Sequence, residues 1–369
     1  MADAQIVLSY SRDAGIVAIA GGEQYRWAHT ALEESGFRQG EPGIYHLPCD
    51  DPDASRVTVT GLIRCAERHR TSVSASSRRF IGDAARDIAR LLPGQWDTKV
   101  EIYSHPVWQE DLVPWLWDSG ELGRAVQTTR IPYAALLTHT SGTTLLLAER
   151  PGHHLDYLLG AMVPQLLGVG FGDPHAPTSI VLPPFPGRAA QAITQRYLPA
   201  YDRAVHARRT AAVTDALDRI RTWHGSWTAM VASGRHSAAG PLALDALGAA
   251  TEQFLDSVWG EFQTVLDHVP ALLDRCRPAT SPWPEDADAL SRLADALGDA
   301  EAVREEVGCG TVLTRPERNA RTWPAIETWL THREPPGLGP GPGRGLSGRA
   351  PAAAGGRPVP PRRRPARRS

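Results

Sequence analysis

Ionisable side chains gather between positions 105 and 175. His105, Glu110, Asp111, His139, His153, His154, Asp156, Asp173 and His175 all fall there, and they include five of the chain's thirteen histidines. Histidine together with aspartate or glutamate is the donor set of zinc centres and metal-assisted hydrolases, whose ligands converge from separate loops. The spacing does not support such a centre, because the sequence contains no HExxH, HxH or HxxxH pattern. The nearest run is Gly152-His-His-Leu-Asp156, and two adjacent histidines on a strand point to opposite faces, so one at most would join a given site. Neither a metal nor a cofactor is expected. His105, Glu110, Asp111, His153, Asp156, Asp173 and His175 remain the candidates for a hydrolytic site.

Bulky aromatics share this stretch. Trp96, Trp108, Trp115 and Trp117 lie close together in the sequence, among His105, Glu110, Asp111 and Asp118. Indoles that pin a short helix to a sheet would serve the core alone. An aromatic wall with a few placed polar groups is also the composition of a ligand pocket, and on that reading Trp108 and Trp115 line it. Trp115 and Trp117 differ by two positions and cannot share one helical face. Leu112, Val113 and Leu116 define an inward side that takes Trp117 more readily than Trp115.

Other chemistries find less support. A serine hydrolase of the strand-to-helix elbow type needs GxSxG, whereas Thr140-Ser-Gly-Thr143 and Ala232-Ser-Gly234 lack that form. The Gly168–Asp173 run GVGFGD has glycines but no following Lys-Ser or Lys-Thr to hold a phosphate. Residues 335–369 carry eight arginines and no acid, so the rest of the chain sums to −10 within a net −2. A basic tail of this kind would touch nucleic acid weakly and without sequence preference. The acidic body and the lack of a helix-turn-helix or zinc-finger pattern argue against a dedicated DNA domain. The Ala207-Arg-Arg209 run reads as a solvated helix face.

The elements that would position these groups follow from periodicity. Residues 1–98 read as a small α/β module: strands at Gly15–Ala20, Gly43–Leu47 and Thr71–Ala75, and helices at Glu23–Ser35, Asp53–His69 and Arg79–Leu92. Gly36 fits the left-handed residue that closes the first helix. Residues 99–184 read as a Trp-rich, mainly antiparallel sheet. Lys99–Tyr103 alternates, and a hairpin joins Arg130–Thr138 to Thr143–Glu149. Leu155–Val163 and Ser179–Leu182 complete the meander. The segment from Glu110 predicts a helix with Pro114 in its first turn, ended by Asp118-Ser-Gly120. Residues 185–334 read as a helical bundle, with its clearest helix at Leu242–Val269 and others at Asp286–Val307 and from Thr314. Thirty of the last 35 residues are Pro, Gly, Arg or Ala, which predicts a disordered tail over 335–369 or an out-of-frame end. The fold class expected is α+β.

Trp27, Leu32, Gly36-Phe37, Gly43, Tyr45, Leu47-Pro48 and the Thr71–Ser76 run TSVSAS resemble the amino-terminal module of uncharacterised, Streptomyces-type actinomycete proteins. The resemblance covers about a quarter of the chain. It implies an α/β module and an actinomycete source, and it carries no catalytic residue onto this sequence. The arginine bias agrees, since Lys99 is the only lysine.

Hydrophobic and charged contents of 42% and 22% are those of a soluble globular protein. Cys49, Cys65, Cys276 and Cys309 form no CxxC pair, which points to a reducing, cytoplasmic setting. No signal peptide or membrane span is expected. These features together point to a cytoplasmic, non-catalytic binding or interaction protein with a protein or small-molecule partner. A hydrolase sited in 105–175, metal-dependent or otherwise, and a non-specific DNA-associated accessory factor are the alternatives.

Overall fold

The computed structural model describes residues 4–164, 167–168, 170–233 and 244–276, together with residue 295. The chain begins with a strand that lies ahead of the first one expected. Strand β1 (Ala4–Ser11) turns back into β2 (Gly15–Gly21) as a hairpin with Gln5 opposite Gly21 and Ser11 opposite Gly15. Helix α1 (Tyr25–Ser35) follows and closes on Gly36 at φ 93°. There the Phe37 N–H reaches back to the Leu32 carbonyl, the bond that a left-handed glycine permits. Strands β3 (Arg38–Gln39) and β4 (Ile44–Leu47) precede α2 (Pro52–Arg68). Asp51 caps α2 by accepting the Asp53 and Ala54 N–H groups, with Pro52 in the first turn. Strand β5 (Thr71–Arg79) lies parallel to β1, which gives the first sheet the order β3-β4-β2-β1-β5.

Helix α3 (Ile81–Ala89) leads to the second sheet, whose first strand is β6 (Trp96–Ile102). The expected division at 98/99 therefore falls inside a strand. After β6 the single helix expected from Glu110 is replaced by four short pieces. They are α4 (Pro106–Glu110), a 3-10 turn at Val113–Trp115, β7 (Leu116–Trp117) and α5 (Glu121–Thr128). Both prolines take first-turn positions, so each opens a new turn and one continuous helix cannot form. Asp118-Ser-Gly120 starts a helix here, where it was expected to end one. Asp118 Oδ2 accepts the Gly120 and Gly123 N–H groups at 3.1 and 2.7 Å, and Oδ1 accepts the Ser179 N–H at 2.6 Å. Burial pushes this carboxyl above its ordinary range, and the same hydrogen bonds offset only part of the rise.

The meander β8 (Tyr133–His139), β9 (Thr144–Glu149), β10 (Tyr157–Met162) and β11 (Ile180–Leu182) forms as expected, in the order β11-β10-β9-β8-β6. Its central strands β8, β9 and β10 are buried on both faces. Tyr133, Ala135, Leu137, Leu145, Leu147 and Leu159 face α3 and the first sheet, while Ala134, Leu146, Ala148 and Leu158 face Leu112, Leu116, Leu122 and Val126. Val17, Ile19 and Ile44 of the first sheet join the same core as the second, whereas Ile6, Ala18 and Tyr45 face α1 and α2. The two sheets and α3 thus share one hydrophobic interior across the boundary that the sequence suggested.

Helix α6 (Pro186–Ala192) runs through a π turn at Ile193–Tyr197 into α7 (Leu198–Ser233). Pro199 has no N–H to give the Gln195 carbonyl, and the wider turn immediately before it relieves that mismatch. Helix α8 (Leu244–Cys276) continues through Pro270, beyond the Val269 end expected. It packs antiparallel to α7: Trp227 Nε1 donates to Thr251, and Arg219 pairs with Glu261 at 2.6 Å. Ala216, Ile220, Phe254, Val258 and Phe262 fill the seam. Apart from residue 295, the helices expected at 286–307 and from 314, and the tail, lie outside the described residues. Among those described, no helix is long and apolar enough to cross a membrane.

Candidate binding cleft

Strand β5 keeps an even register with β1 from Thr71 opposite Ala4 to Ala75 opposite Leu8, and the register then jumps to Arg79 opposite Tyr10. Ser76, Ser77 and Arg78 therefore stand against Ser9 alone, a bulge that re-aims the side chains within it. The Arg78 N–H bonds to Ser76 Oγ at 3.1 Å, and the guanidinium turns into the gap between the sheets, where its side chain is 9% exposed. It pairs with Glu149 Oε2 at 2.5 Å and donates to the Arg150 carbonyl at 2.9 Å and to the His153 carbonyl. Ser77 Oγ reaches the His154 carbonyl at 3.3 Å. The turn after β9 is thereby tied to the edge of the first sheet.

Between these walls lies a cleft of about 450 Å³. Ser74, Ser76 and Ser77 line one side, Arg130 and Tyr133 line the other, and Arg150, His153 and His154 stand at the turn. Glu149 is fully engaged, since its Oε1 accepts the Tyr133 hydroxyl at 2.9 Å while Oε2 holds Arg78. Burial, with the Glu149 charge adding to it, raises the Tyr133 phenol well above its usual value, and Tyr157 is pushed up to about 12. Arg150 is neutralised by a two-pronged contact with Glu121 at 2.7 and 3.1 Å and by Asp156 at 3.5 Å.

Arg130 is different. Its guanidinium donates to the Ser104 carbonyl at 2.8 Å, to the Tyr103 carbonyl and to Gln109 Oε1 at 3.0 Å, and every one of these acceptors is neutral. Gln109 is itself fixed: its Nε2 spans the Val126 and Thr129 carbonyls at 2.7 Å each, and its Oε1 also accepts the Ile131 N–H at 2.7 Å. Desolvation lowers the Arg130 pKa, with no carboxylate acting against it. Among the described residues no carboxylate pairs with Arg130, and a half-buried cation of that kind, held in one orientation at a cleft wall, favours an anion there.

The candidates from the sequence are scattered. His105 caps α4 by accepting the Val107 N–H at 3.2 Å, and Trp108, 43% exposed, packs on Tyr25 at 5.2 Å between centroids. Glu110 and Asp111 are exposed at the end of α4. Trp115 is 63% exposed, while Trp117 is fully buried and meets Tyr201 edge-on at 5.9 Å. Neither Trp108 nor Trp115 lines the cleft. Asp173 is held by Arg208 Nε at 3.0 Å and by the His175 N–H at 2.7 Å, so Arg208 is a tie between α7 and a loop, where a solvated face was expected. His153 and His154 do reach the cleft. They sit in a turn ahead of β10, where the rule of opposite faces for strand neighbours does not apply, and both line the same space.

The hairpin-turn serine makes local bonds only. Ser141 gives its N–H to His139 Nδ1 at 3.1 Å, which leaves that nitrogen to accept the Ser141 hydroxyl at 2.7 Å. Both residues are spent on closing the turn. Among the described residues no group of three His, Cys, Asp or Glu is placed to hold a metal ion. Arg78, Arg130, Tyr133 and Glu149 are the residues that sequence reasoning missed. No local pattern marks Arg130 in a chain so rich in arginine, and only the register jump in β5 singles out Arg78. Comparison of the chain with protein-family models, curated protein sequences and solved structures finds no match.

Proposed function

We propose that the chain is a cytoplasmic, non-catalytic binding protein whose ligand is anionic and sits in the cleft with its charge against Arg130. The observation that carries this reading is the Arg130 guanidinium, desolvated, rigidly held and bonded to neutral oxygens alone. The serine hydroxyls and the exposed His153 and His154 add donors suited to carboxylate or phosphate oxygens. The free thiols of Cys49 and Cys65 agree with a reducing compartment.

The test is calorimetric titration of the full chain with succinate and with inorganic phosphate, repeated on Arg130→Gln and Arg130→Lys. A charge-assisted hydrogen bond is worth about 1.5–3 kcal/mol, so Arg130→Gln should weaken the bound anion by roughly 10- to 100-fold. Arg130→Lys should retain part of the affinity and show that the charge, beyond the local fold, is what binds. Absence of binding by either anion, or equal binding by the Gln variant, would overturn the proposal.

A further inference from the structure

The two ends of the cleft offer opposite hydrogen-bonding groups. Gly21 of β2, Gln5 of β1 and Ser72 of β5 stand side by side across the first sheet, and Val7 and Ser74 form the next row on β1 and β5. Register partners send their side chains to the same face, so Gln5, Val7 and Ser74 look together into the cleft that they line. Gly21 leaves its own place on that face empty, and Arg130 Nη2 lies 3.9 Å from where a Cβ would stand. Three of the guanidinium N–H bonds go to the Tyr103 and Ser104 carbonyls and to Gln109 Oε1. Among the described residues the N–H on Nε and the second N–H on Nη1 have no partner. Gln5, exposed and opposite Gly21, adds amide donors beside them. This end of the cleft gives hydrogen bonds.

The far end mostly receives them. It lies two strand spacings away, roughly 10 Å. There the Ser74 hydroxyl donates to the Ile6 carbonyl at 3.4 Å, and the Ser77 hydroxyl donates to the His154 carbonyl at 3.3 Å. A hydroxyl whose proton is committed offers only its oxygen lone pairs. Ser76 is the reverse, since its Oγ accepts the Arg78 N–H at 3.1 Å and keeps its own proton. Between the ends the floor is the apolar Val7. Lone pairs repel a bare anion and accept from ligand hydroxyls. Resting on the anion-binding reading above, we infer that the ligand is a polyol ending in a phosphate or carboxylate, a sugar phosphate or sugar acid. Its anionic group sits against Arg130 and Gln5, and its carbon skeleton crosses Val7. Its hydroxyls donate to Ser74 and Ser77 and accept from Ser76. A bare anion leaves these serines unused, and an uncharged sugar leaves Arg130 without its counter-charge.

Calorimetric titration of the full chain with matched pairs of ligands tests this. The 5-phosphate of D-ribose should bind at least about tenfold more tightly than pentyl phosphate, which has the same carbon chain without hydroxyls. D-Gluconate against hexanoate is the same comparison for a carboxylate, and the pair with the larger gap identifies the anionic group. Replacing both acceptors, Ser74→Ala with Ser77→Ala, should close most of the gap. Arg130→Gln should weaken the sugar ligand by at least about tenfold. If neither sugar ligand binds more tightly than its hydroxyl-free analogue, or the gap survives in the double serine variant, the inference is overturned. The anion-binding reading still stands in that case if inorganic phosphate or succinate binds in an Arg130-dependent way. Uncharged D-ribose binding as tightly as its phosphate would remove the anionic end and the inference with it.

Discussion

The segment from His105 to Asp118 and the cleft around Arg130 are built in opposite ways. The first concentrates aromatic and ionisable residues along a short run of chain and then disperses them. Trp117 goes into the core beside Tyr201, Trp115 goes to the surface, and Trp108 packs on Tyr25 of the first helix. The second draws single residues from β5, the β8 entry and the end of β9, and brings them to one wedge between two sheets. Density of functional side chains along a sequence reflects local composition, whereas a site needs convergence in space. In this chain convergence is produced by a bulge in β5 and by two sheets that line one cleft, neither of which has a compositional signature.

The largest effect should come from the buried member of the first region. Trp117→Ala removes a fully buried indole at the join of β7 and β10, and should cost about 3–5 kcal/mol in chemical denaturation. Trp115→Ala, at 63% exposure, should stay within about 0.5 kcal/mol of wild type. Equal large losses would mean that Trp115 is held by packing that its exposure does not reveal, and would restore the tryptophans as one unit.

The cleft should respond through its clamp. Arg78→Ala leaves the mostly buried Glu149 carboxylate with the Tyr133 hydroxyl alone and frees the turn at 150–154. Breaking such a pair costs about 3 kcal/mol. Exchange of the 150–154 amides should rise in the same variant. A loss below about 1 kcal/mol, the usual range of surface pairs, would show that Arg78 is solvated and that the wall of the cleft is not built by it.

A smaller effect tests the packing beneath the second sheet. A Cβ on Gly160 would lie 2.7 Å from Leu122 Cδ2, so Gly160→Ala forces the buried Leu122 side chain between α5 and β10 to shift. Overpacking of this kind costs about 1–3 kcal/mol. Gly142→Ala, which meets no neighbour but sits at φ 88°, separates backbone strain from crowding as a control.

Much of the fold was legible and the site was not. The α+β class, the Gly36 helix end and the hairpin about Ser141 all follow from signals within a few residues of one another, while the Asp51 cap was passed over and α2 was expected from Asp53. The β8–β9 hairpin was read to within a few residues of its ends because two apolar runs flank a tight turn, whereas β6 was read from its alternation only from Lys99 onward and its start at Trp96 was missed. The helix expected from Glu110 failed because two prolines set two separate first turns, and β1 was passed over at the start of the chain. Arg130 was invisible because what distinguishes it is that, among the described residues, no carboxylate pairs with it, a property of the folded surroundings alone. His153 and His154 were misjudged because the rule applied to them assumes a strand, and they lie in a turn.

The smallest expected effect concerns a polar chain beside the first region. The Tyr45 hydroxyl donates to Glu33 Oε1 at 3.0 Å, so its contact with His29 Nδ1 at 2.9 Å requires the ring nitrogen to donate. That fixes the neutral tautomer with the proton on Nδ1. Burial lowers the His29 pKa from its ordinary 6.5, and the nearby Glu33 charge offsets only part of the shift. In the unfolded chain the imidazole regains that ordinary value, so as the pH falls through 6.5 the unfolded state takes up the proton first. The stability that His29 contributes is therefore complete above 6.5, declines as the pH drops towards the folded pKa, and is level below it. His268 shifts in the same direction, so the comparison has to be a difference between variants. His29→Asn keeps a donor near the Nδ1 position without a titration. Denaturation midpoints of wild type and His29→Asn should diverge least at mildly acid pH and most above neutrality, with wild type gaining as the pH rises. A constant difference across that range would mean that His29 stays solvated, and that the Tyr25, His29 and Tyr45 rings form an open surface in place of a packed wall.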